Sequence, residues 1–251
     1  MSSFLQALQS GRAQLGLWQA LAYPYTAEIC ARAGFDWLLF DGEHAPNTIQ
    51  SLLAQLQAVA PFPVEPIARV PVGEPVVIKQ YLDIGFKTLL VPMVDSAEQV
   101  RSLVAATRFP PRGVRGVASA TSRASGFGAD RSYLAQAHET VAVIAQIETR
   151  SGLEAIEEII AVDGIDALFI GPADLAASMG HLGDPRHAEV QASVAAALMA
   201  IHRGGKPAGI FALSAEDARA KIADGFDFVS LGTDIGLLTQ GAAQLIASVR
   251  S

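Results

Sequence analysis

The chain has 251 residues, 51% of them hydrophobic and 17% charged, with a net charge of −7. That composition supplies a large core, and it lacks the clustered Lys and Arg that nucleic acid or an anionic membrane needs from a partner. A single cysteine, Cys30, excludes an internal disulfide and suits a reducing, cytoplasmic setting, where it is expected as a small buried hydrophobe. Neither a secretory h-region nor an apolar run of roughly 20 residues stands out, so no signal peptide and no membrane span are expected.

Short apolar runs alternate with helix-like segments along the whole length. Leu15–Ala20 reads as a strand, and 26–34 as a helix that Gly34 closes. Trp37–Asp41 is a strand before a helix over 48–60. Pro66–Val70 is a strand before a helix over 75–85. Thr88–Met93 is a strand before a helix over 96–107. Residues 109–130 break the pattern: they are rich in Pro, Gly, Ser and Arg, and long for a loop, which marks them as functional or as reaching a neighbouring subunit. The alternation resumes with Val141–Ile147 and a helix over 153–162, then Ala167–Ile170 and a helix over 188–203. Ala208–Phe211 with a helix over 215–223, and Phe228–Leu231 with a final helix over 237–249, complete it.

Those are eight βα units. Strands apolar on both faces, each followed by a helical crossover, define a parallel sheet with both faces covered. Gly34-Phe-Asp36, Gly85-Phe-Lys87, Gly164-Ile-Asp166 and Gly225-Phe-Asp227 recur just before strands, as αβ turns should. No G-x-G-x-x-G follows the first strand, which disfavours a doubly wound open sheet. The reading is an α/β fold, a single-domain (β/α)₈ barrel over residues 1–251.

Barrel chemistry sits at the C-terminal ends of strands. There the sequence places Asp41, Glu43 and His44, Arg69, Gln146 and Glu148, and Asp174. Two acids ending neighbouring strands, Glu148 and Asp174, suit a hard divalent cation such as Mg²⁺ or Mn²⁺. No Cys/His cluster with zinc spacing is present. His44, three residues after Asp41, is placed to be a general base. Arg69 at a buried strand tip needs an anion or a polar partner. Lys79, Lys87, Lys206 and Lys221 fall on helices or at the opposite rim, which disfavours Schiff-base chemistry and leaves metal-stabilised enolate chemistry. His138, His181, His187 and His202 read as loop or helix-surface residues.

The segments FDGEHAPN (40–47), ARVP (68–71), QIET (146–149) and FIGPADLAASMGHLGDP (169–185) closely resemble the HpcH/HpaI aldolases, and the likeness spans nearly all of the chain. The resemblance implies a metal-dependent class II aldolase that joins pyruvate, or hydroxypyruvate, to an aldehyde and cleaves 4-hydroxy-2-oxo acids in reverse, as in aromatic-compound catabolism. It implies Glu148 and Asp174 as ligands of Mg²⁺, Mn²⁺ or Co²⁺. His44 would be the base with Asp41 as its dyad partner, and Arg69 would stabilise the enolate. Gln146, Gly171, Pro172 and Ala173 would form the pyruvate pocket, and Trp18, Val117 and Leu213 the aldehyde side. It also implies a homo-oligomer, a hexamer with an exchanged C-terminal helix, which the apolar Leu237, Leu238, Leu245, Ile246 and Val249 permit.

Three other readings stand beside it. An acyl-CoA ester lyase of the citrate lyase beta type would need a basic groove, which only Arg112, Arg115 and Arg123 could supply. A phosphosugar barrel could use the run 230–236 as a phosphate site, but Asp234 lies inside it. A non-catalytic barrel would be expected to have lost part of the His44, Arg69, Glu148 and Asp174 set, which is intact.

Overall fold

The structure is a computed structural model that describes residues 2–250. Eight parallel strands close into a barrel in sequence order: β1 (Gln14–Gln19), β2 (Trp37–Asp41), β3 (Glu65–Arg69), β4 (Thr88–Val91), β5 (Ala142–Ile147), β6 (Ala167–Ile170), β7 (Ala208–Phe211) and β8 (Phe228–Thr233). Around and between them lie α1 (Ser3–Leu8), α2 (Pro24–Ala31), α3 (Ile49–Val59), α4 (Pro75–Asp83), α5 (Ala97–Thr107), α6 (Tyr133–Thr140), α7 (Arg150–Glu154), α8 (Ile156–Ile160), α9 (Pro172–Ser178), α10 (Ala188–Arg203), α11 (Ala215–Asp224) and α12 (Asp234–Arg250). All eight expected strands form, three with the expected ends and five with an end moved by one or two residues. The helix expected over 153–162 is instead two short ones, α7 and α8, meeting at Ala155.

Strand parity divides the core in two. Leu38, Phe40, Ala68, Leu89, Val143, Leu168 and Ile170 point outward and pack under the helices. Trp18, Trp37, Leu39, Ile67, Leu90, Ile144, Phe169 and Phe228 point inward and fill the barrel. Large rings fit there because facing positions are small: a Cβ on Gly16 would fall 2.0 Å from the Trp37 indole, and one on Gly209 2.3 Å from the Phe228 ring. The lower end is closed by α1, which the sequence reading did not anticipate. Ser2 caps it by accepting the Leu5 N–H, and Phe4, buried, meets Phe228 edge-on at 5.3 Å.

The recurring turns set the lower rim. Gly34, Gly85, Gly164 and Gly225 all adopt left-handed φ, between +90° and +111°. The acid that follows three of them ties adjacent strands: Asp36 accepts the Leu15 N–H, Asp166 that of Val143 and Asp227 that of Ala208, each at 2.8 Å. The long segment 109–130 is anchored at this same rim. Ser122 Oγ donates to the Asp83 carbonyl and Arg123 Nη1 to that of Ile84. Arg115, its side chain fully buried, donates to Asp83 and to the Tyr133 hydroxyl and lies over the Phe109 ring. None of the helices among the described residues is long and apolar enough to cross a membrane.

Candidate active site

The inward parity that carries apolar side chains through the barrel continues into charge at its upper end. On β2 the series Trp37, Leu39 ends in Asp41; on β3, Ile67 is followed by Arg69; on β5, Ile144 is followed by Gln146 and then Glu148. Asp41 and Arg69 are register partners, so adjacent strands deliver their side chains to one height. Arg69 grips Asp41 with two parallel bonds, Nε to Oδ1 at 2.9 Å and Nη2 to Oδ2 at 2.6 Å. Both side chains are buried, and a bidentate pair is the geometry that makes such burial tolerable. Asp41 also accepts the Trp18 indole N–H at 3.3 Å and the backbone N–H groups of Glu43 and His44. Although burial opposes it, the Arg69 bonds and charge hold the Asp41 carboxyl below the usual range.

Arg69 Nη1 also lies 2.9 Å from Glu43 Oε2, as an ion pair rather than an aligned hydrogen bond. A guanidinium carries five N–H groups; with Asp41 taking two and Glu43 lying beside Nη1, donors on Nη1 and Nη2 remain for a ligand. The His44 imidazole is exposed, with Nε2 3.8 Å from Glu43 Oε2. The dyad expected from the resemblance is therefore not formed through the side chains here. Asp41 meets His44 at its backbone N–H, and the carboxylate facing the ring is Glu43, engaged as it is with Arg69.

Glu148, only 2% exposed, accepts the Met93 N–H at 2.8 Å on Oε1 and the Gln146 amide on Oε2. Burial pushes its carboxyl up to about 7; the Met93 and Gln146 donors work against that, and the charges of Asp174 and Glu43 reinforce it. The sequence predicts Met93 as the last residue of β4. Instead β4 stops at Val91, and Met93 turns to φ +55°, a strained backbone for a side-chain-bearing residue, with its N–H aimed at Glu148. Above Glu148 passes Gly171, where a Cβ would fall 2.6 Å from Glu148 Oε2. Gly171 caps α9, which starts at Pro172 and carries exposed Ala173 and Asp174 in its first turn. This short helix lies between β6 and α10, where the sequence reading placed only a loop. A cavity of about 410 Å³ opens between the β3 and β4 loops, with Glu43, Val72, Glu74, Met93 and Gln99 in its wall.

Asp41, Arg69, Gln146, Glu148, Gly171, Pro172, Ala173 and Asp174 are thus gathered at one mouth, with His44 at its edge. Trp18 lies deeper than its expected place on the aldehyde side: it is buried, packed on Phe169 and Phe211, and its indole supports Asp41 and Arg69 from within the barrel. Leu213 stands partly exposed on the β7–α11 loop. Val117 is not brought to this mouth: it is exposed on the long segment anchored at the opposite rim. Glu43 and Met93 are the contributors that sequence reasoning left without a role. Glu43 stood in view in FDGEH; Met93 acts through its backbone, which no side-chain pattern reports.

A closed (β/α)₈ barrel with an Arg, a His and clustered carboxylates at the strand C-termini is an enzyme architecture. Residues 14–241 match the family model described as HpcH/HpaI aldolase/citrate lyase, and the chain belongs to that family of carbon–carbon lyases. It is 54% identical over 249 residues to a hydroxypyruvate/pyruvate aldolase of Deinococcus radiodurans, covering 99% of this chain and 90% of that one. It is 50% identical over 246 residues to a 4-hydroxy-2-oxo-heptane-1,7-dioate aldolase of Salmonella heidelberg, covering 98% and 94%. Among solved structures, an HpcH/HpaI aldolase/citrate lyase family protein from Burkholderia cenocepacia J2315 superposes over the full length of both chains, with a TM-score of 0.97 at 41% identity.

Proposed function

We propose that this aldolase uses a divalent cation to cleave 4-hydroxy-2-oxo acids reversibly into pyruvate, or hydroxypyruvate, and an aldehyde. The observation that carries the reading is Arg69, fixed by Asp41 and Glu43 with N–H groups to spare, at the same mouth as Glu148, whose carboxyl burial pushes up to about 7. The names of the relatives support both keto-acid donors.

The residues fit a cation. The charges of Glu43 and Asp174 add to the cost of ionising Glu148, that of Asp174 also to the cost of ionising Glu43, and Gln146 Oε1 is a buried acceptor without a partner in the structure. Glu148 and Asp174 would hold the ion, oxygen donors of the kind Mg²⁺, Mn²⁺ or Co²⁺ accept. Such an ion, when bound, polarises the keto oxygen of the substrate and so acidifies the adjacent carbon. The missing Cβ of Gly171 lets the turn into α9 pass directly against Glu148 without displacing its carboxylate. The first-turn N–H groups of Ala173 and Asp174, orphaned at the start of α9, face a substrate carboxylate. Arg69 donates its free N–H groups to the enolate oxygen as charge develops there. Asp41 and Trp18 keep that guanidinium in one orientation. His44 takes the methyl proton in synthesis and the 4-hydroxyl proton in cleavage, while Asp41 fixes the turn that carries it.

A CoA-ester substrate is less well supported, because Arg115, the middle of the three arginines it would need, is spent on Asp83 and Tyr133 in the interior. Asp234 is likewise committed: it accepts the Ala20 and Leu21 N–H groups and puts a carboxylate where a phosphosugar would need a vacant helix end. The reading extends to a cytoplasmic homo-oligomer, a hexamer in which α12 is exchanged and Val117 reaches a neighbour's mouth. The bare apolar face of α12, with Leu237, Leu238, Leu245, Ile246 and Val249 exposed, supports it.

The test is release of pyruvate or hydroxypyruvate from a panel of 4-hydroxy-2-oxo acids, with and without chelator. Activity that EDTA abolishes and Mn²⁺ or Mg²⁺ restores is expected. Undiminished turnover in exhaustively chelated protein would overturn the proposed cation.

A further inference from the structure

The connection between α9 and α10 holds a second group of metal-ligating side chains that the aldolase chemistry does not use. In Met179-Gly-His181-Leu-Gly-Asp-Pro-Arg-His187-Ala-Glu189, Gly180 and Gly183 adopt φ of +91° and +80°. Two successive turns, Asp184 N–H to the His181 carbonyl and His187 N–H to the Asp184 carbonyl, fold the segment back on itself. His181 is thereby stacked on His187, with ring centroids 3.6 Å apart and planes 16° from parallel. Glu189, in the first turn of α10, reaches His181 Nε2 at 2.9 Å through Oε2. One ligand atom from each of the three residues lies within 4.8 Å of the other two.

We propose that His181, His187 and Glu189 form a second metal site, for a borderline transition cation such as Zn²⁺, which clips the α9–α10 connection to the start of α10. One of the lone pairs a cation needs is already placed. His187 Nδ1 accepts the Glu189 N–H as the cap of α10, at a long 3.3 Å, so that nitrogen carries a lone pair and Nε2 keeps the proton. A cation takes the Nδ1 lone pair in exchange for this weak cap. Glu189 adds a carboxylate donor, its Oε2 already beside His181 Nε2. Arg150 also faces Glu189 and opposes added positive charge, so affinity rests on the two imidazoles.

Ligand chemistry separates the two sites. Three protein donors plus water complete a tetrahedral zinc centre, whose bond lengths bring donor atoms to roughly 3.4 Å from one another. The present spread contracts to that by side-chain rotation on a partly exposed loop. Imidazole nitrogens select Zn²⁺, Ni²⁺ or Cu²⁺ over Mg²⁺, whereas the oxygen-only pair at the barrel mouth has the opposite bias. The clipped connection runs directly on from α9, the helix that carries Asp174.

The experiment is Zn²⁺ binding to metal-stripped full-length protein in which Glu148→Gln and Asp174→Asn remove the mouth ligands, followed by equilibrium dialysis and by melting temperature. One Zn²⁺ per chain and a raised melting temperature are expected, with Mg²⁺ giving neither. Adding His181→Ala, or His187→Asn, which retains a capping acceptor on α10, should abolish both effects. A mouth-deleted protein that takes up no Zn²⁺ at micromolar free ion, or whose uptake is the same with and without His181, overturns the proposal. Neither result bears on the aldolase reading, because the mouth ligands are absent from every arm.

Discussion

Removing the charge of Glu148 should stabilise the metal-free protein. Burial pushes this carboxyl from 4.5 up to about 7, despite the Met93 and Gln146 donors and with the help of Asp174 and Glu43. Between those two values the native chain holds a proton that the unfolded chain has released. Stability therefore falls as pH rises through that window, and the whole loss is present above it. A shift of this size is worth about 3 kcal/mol, or very roughly 6–12 °C in melting temperature for a chain of this length. Glu148→Gln keeps the volume and an acceptor for the Met93 N–H but cannot ionise. Its new amide N–H meets Gln146, whose side chain can flip to present Oε1, the buried acceptor that lacks a partner. In EDTA near pH 8 the variant should unfold at higher denaturant than wild type by about 3 kcal/mol, and the two curves should converge near pH 4.5. Mn²⁺ should reverse the ranking, since only wild type keeps both acids for the ion to stabilise by mass action. Stabilities that run parallel across this pH range in EDTA would refute the argument that Glu148 is a buried charge awaiting a cation.

Arg69→Ala should lower kcat/KM for pyruvate release by about 2–4 kcal/mol of transition-state stabilisation, the usual worth of an oxyanion donor; a loss within about tenfold would remove Arg69 from that role. Gly171→Ala places a methyl group 2.6 Å from Glu148 Oε2 and 3.0 Å from the Gln146 amide. It should weaken Mn²⁺ binding, read by electron paramagnetic resonance, by roughly 10–100-fold, the range seen when a ligand's supporting contacts are lost; unchanged affinity would show that the cradle does not matter. Phe4→Ala empties the plug under the barrel and should cost about 3–5 kcal/mol in denaturant unfolding at constant protein concentration, with KM unmoved because α1 lies at the end away from the mouth.

The barrel was legible because its strands leave no alternative. Runs such as Trp37-Leu-Leu-Phe and Ala167-Leu-Phe-Ile are apolar on both parities, and only a sheet covered on both faces buries them. What escaped was structure whose signal is short or borrowed. The α1 helix spans six residues and owes its place to Phe4 meeting Phe228 across the barrel floor, a contact far apart in sequence. The helix α9 was hidden for a similar reason. Gly171-Pro172 reads as a loop, although Pro at the first helical position is a start signal. The Gly-x-Asp turns were visible as punctuation, but their second task was not. An Asp that accepts an N–H from the strand beside it can be found only once strand neighbours are known.

At the mouth, the sequence exposed the ionisable residues and concealed their pairing. Asp41 and His44 are three apart in the chain and invite assignment as a dyad, yet the register of β2 on β3 sets Asp41 opposite Arg69, and a bidentate guanidinium outcompetes an exposed imidazole for a buried carboxylate. The outcome gives Asp41 a different task from the one its spacing suggests. It orients the Arg and pins the 41–44 turn through two backbone N–H groups, while Glu43 is left facing both Arg69 and His44. Met93 makes the same point from the other side of the site. Its contribution is a backbone N–H delivered by a left-handed turn, so any side chain that tolerates φ +55° would serve, and composition at that position carries no trace of it. Side chains that act through their own chemistry can be read from a sequence; groups that act by holding another residue in place require the fold.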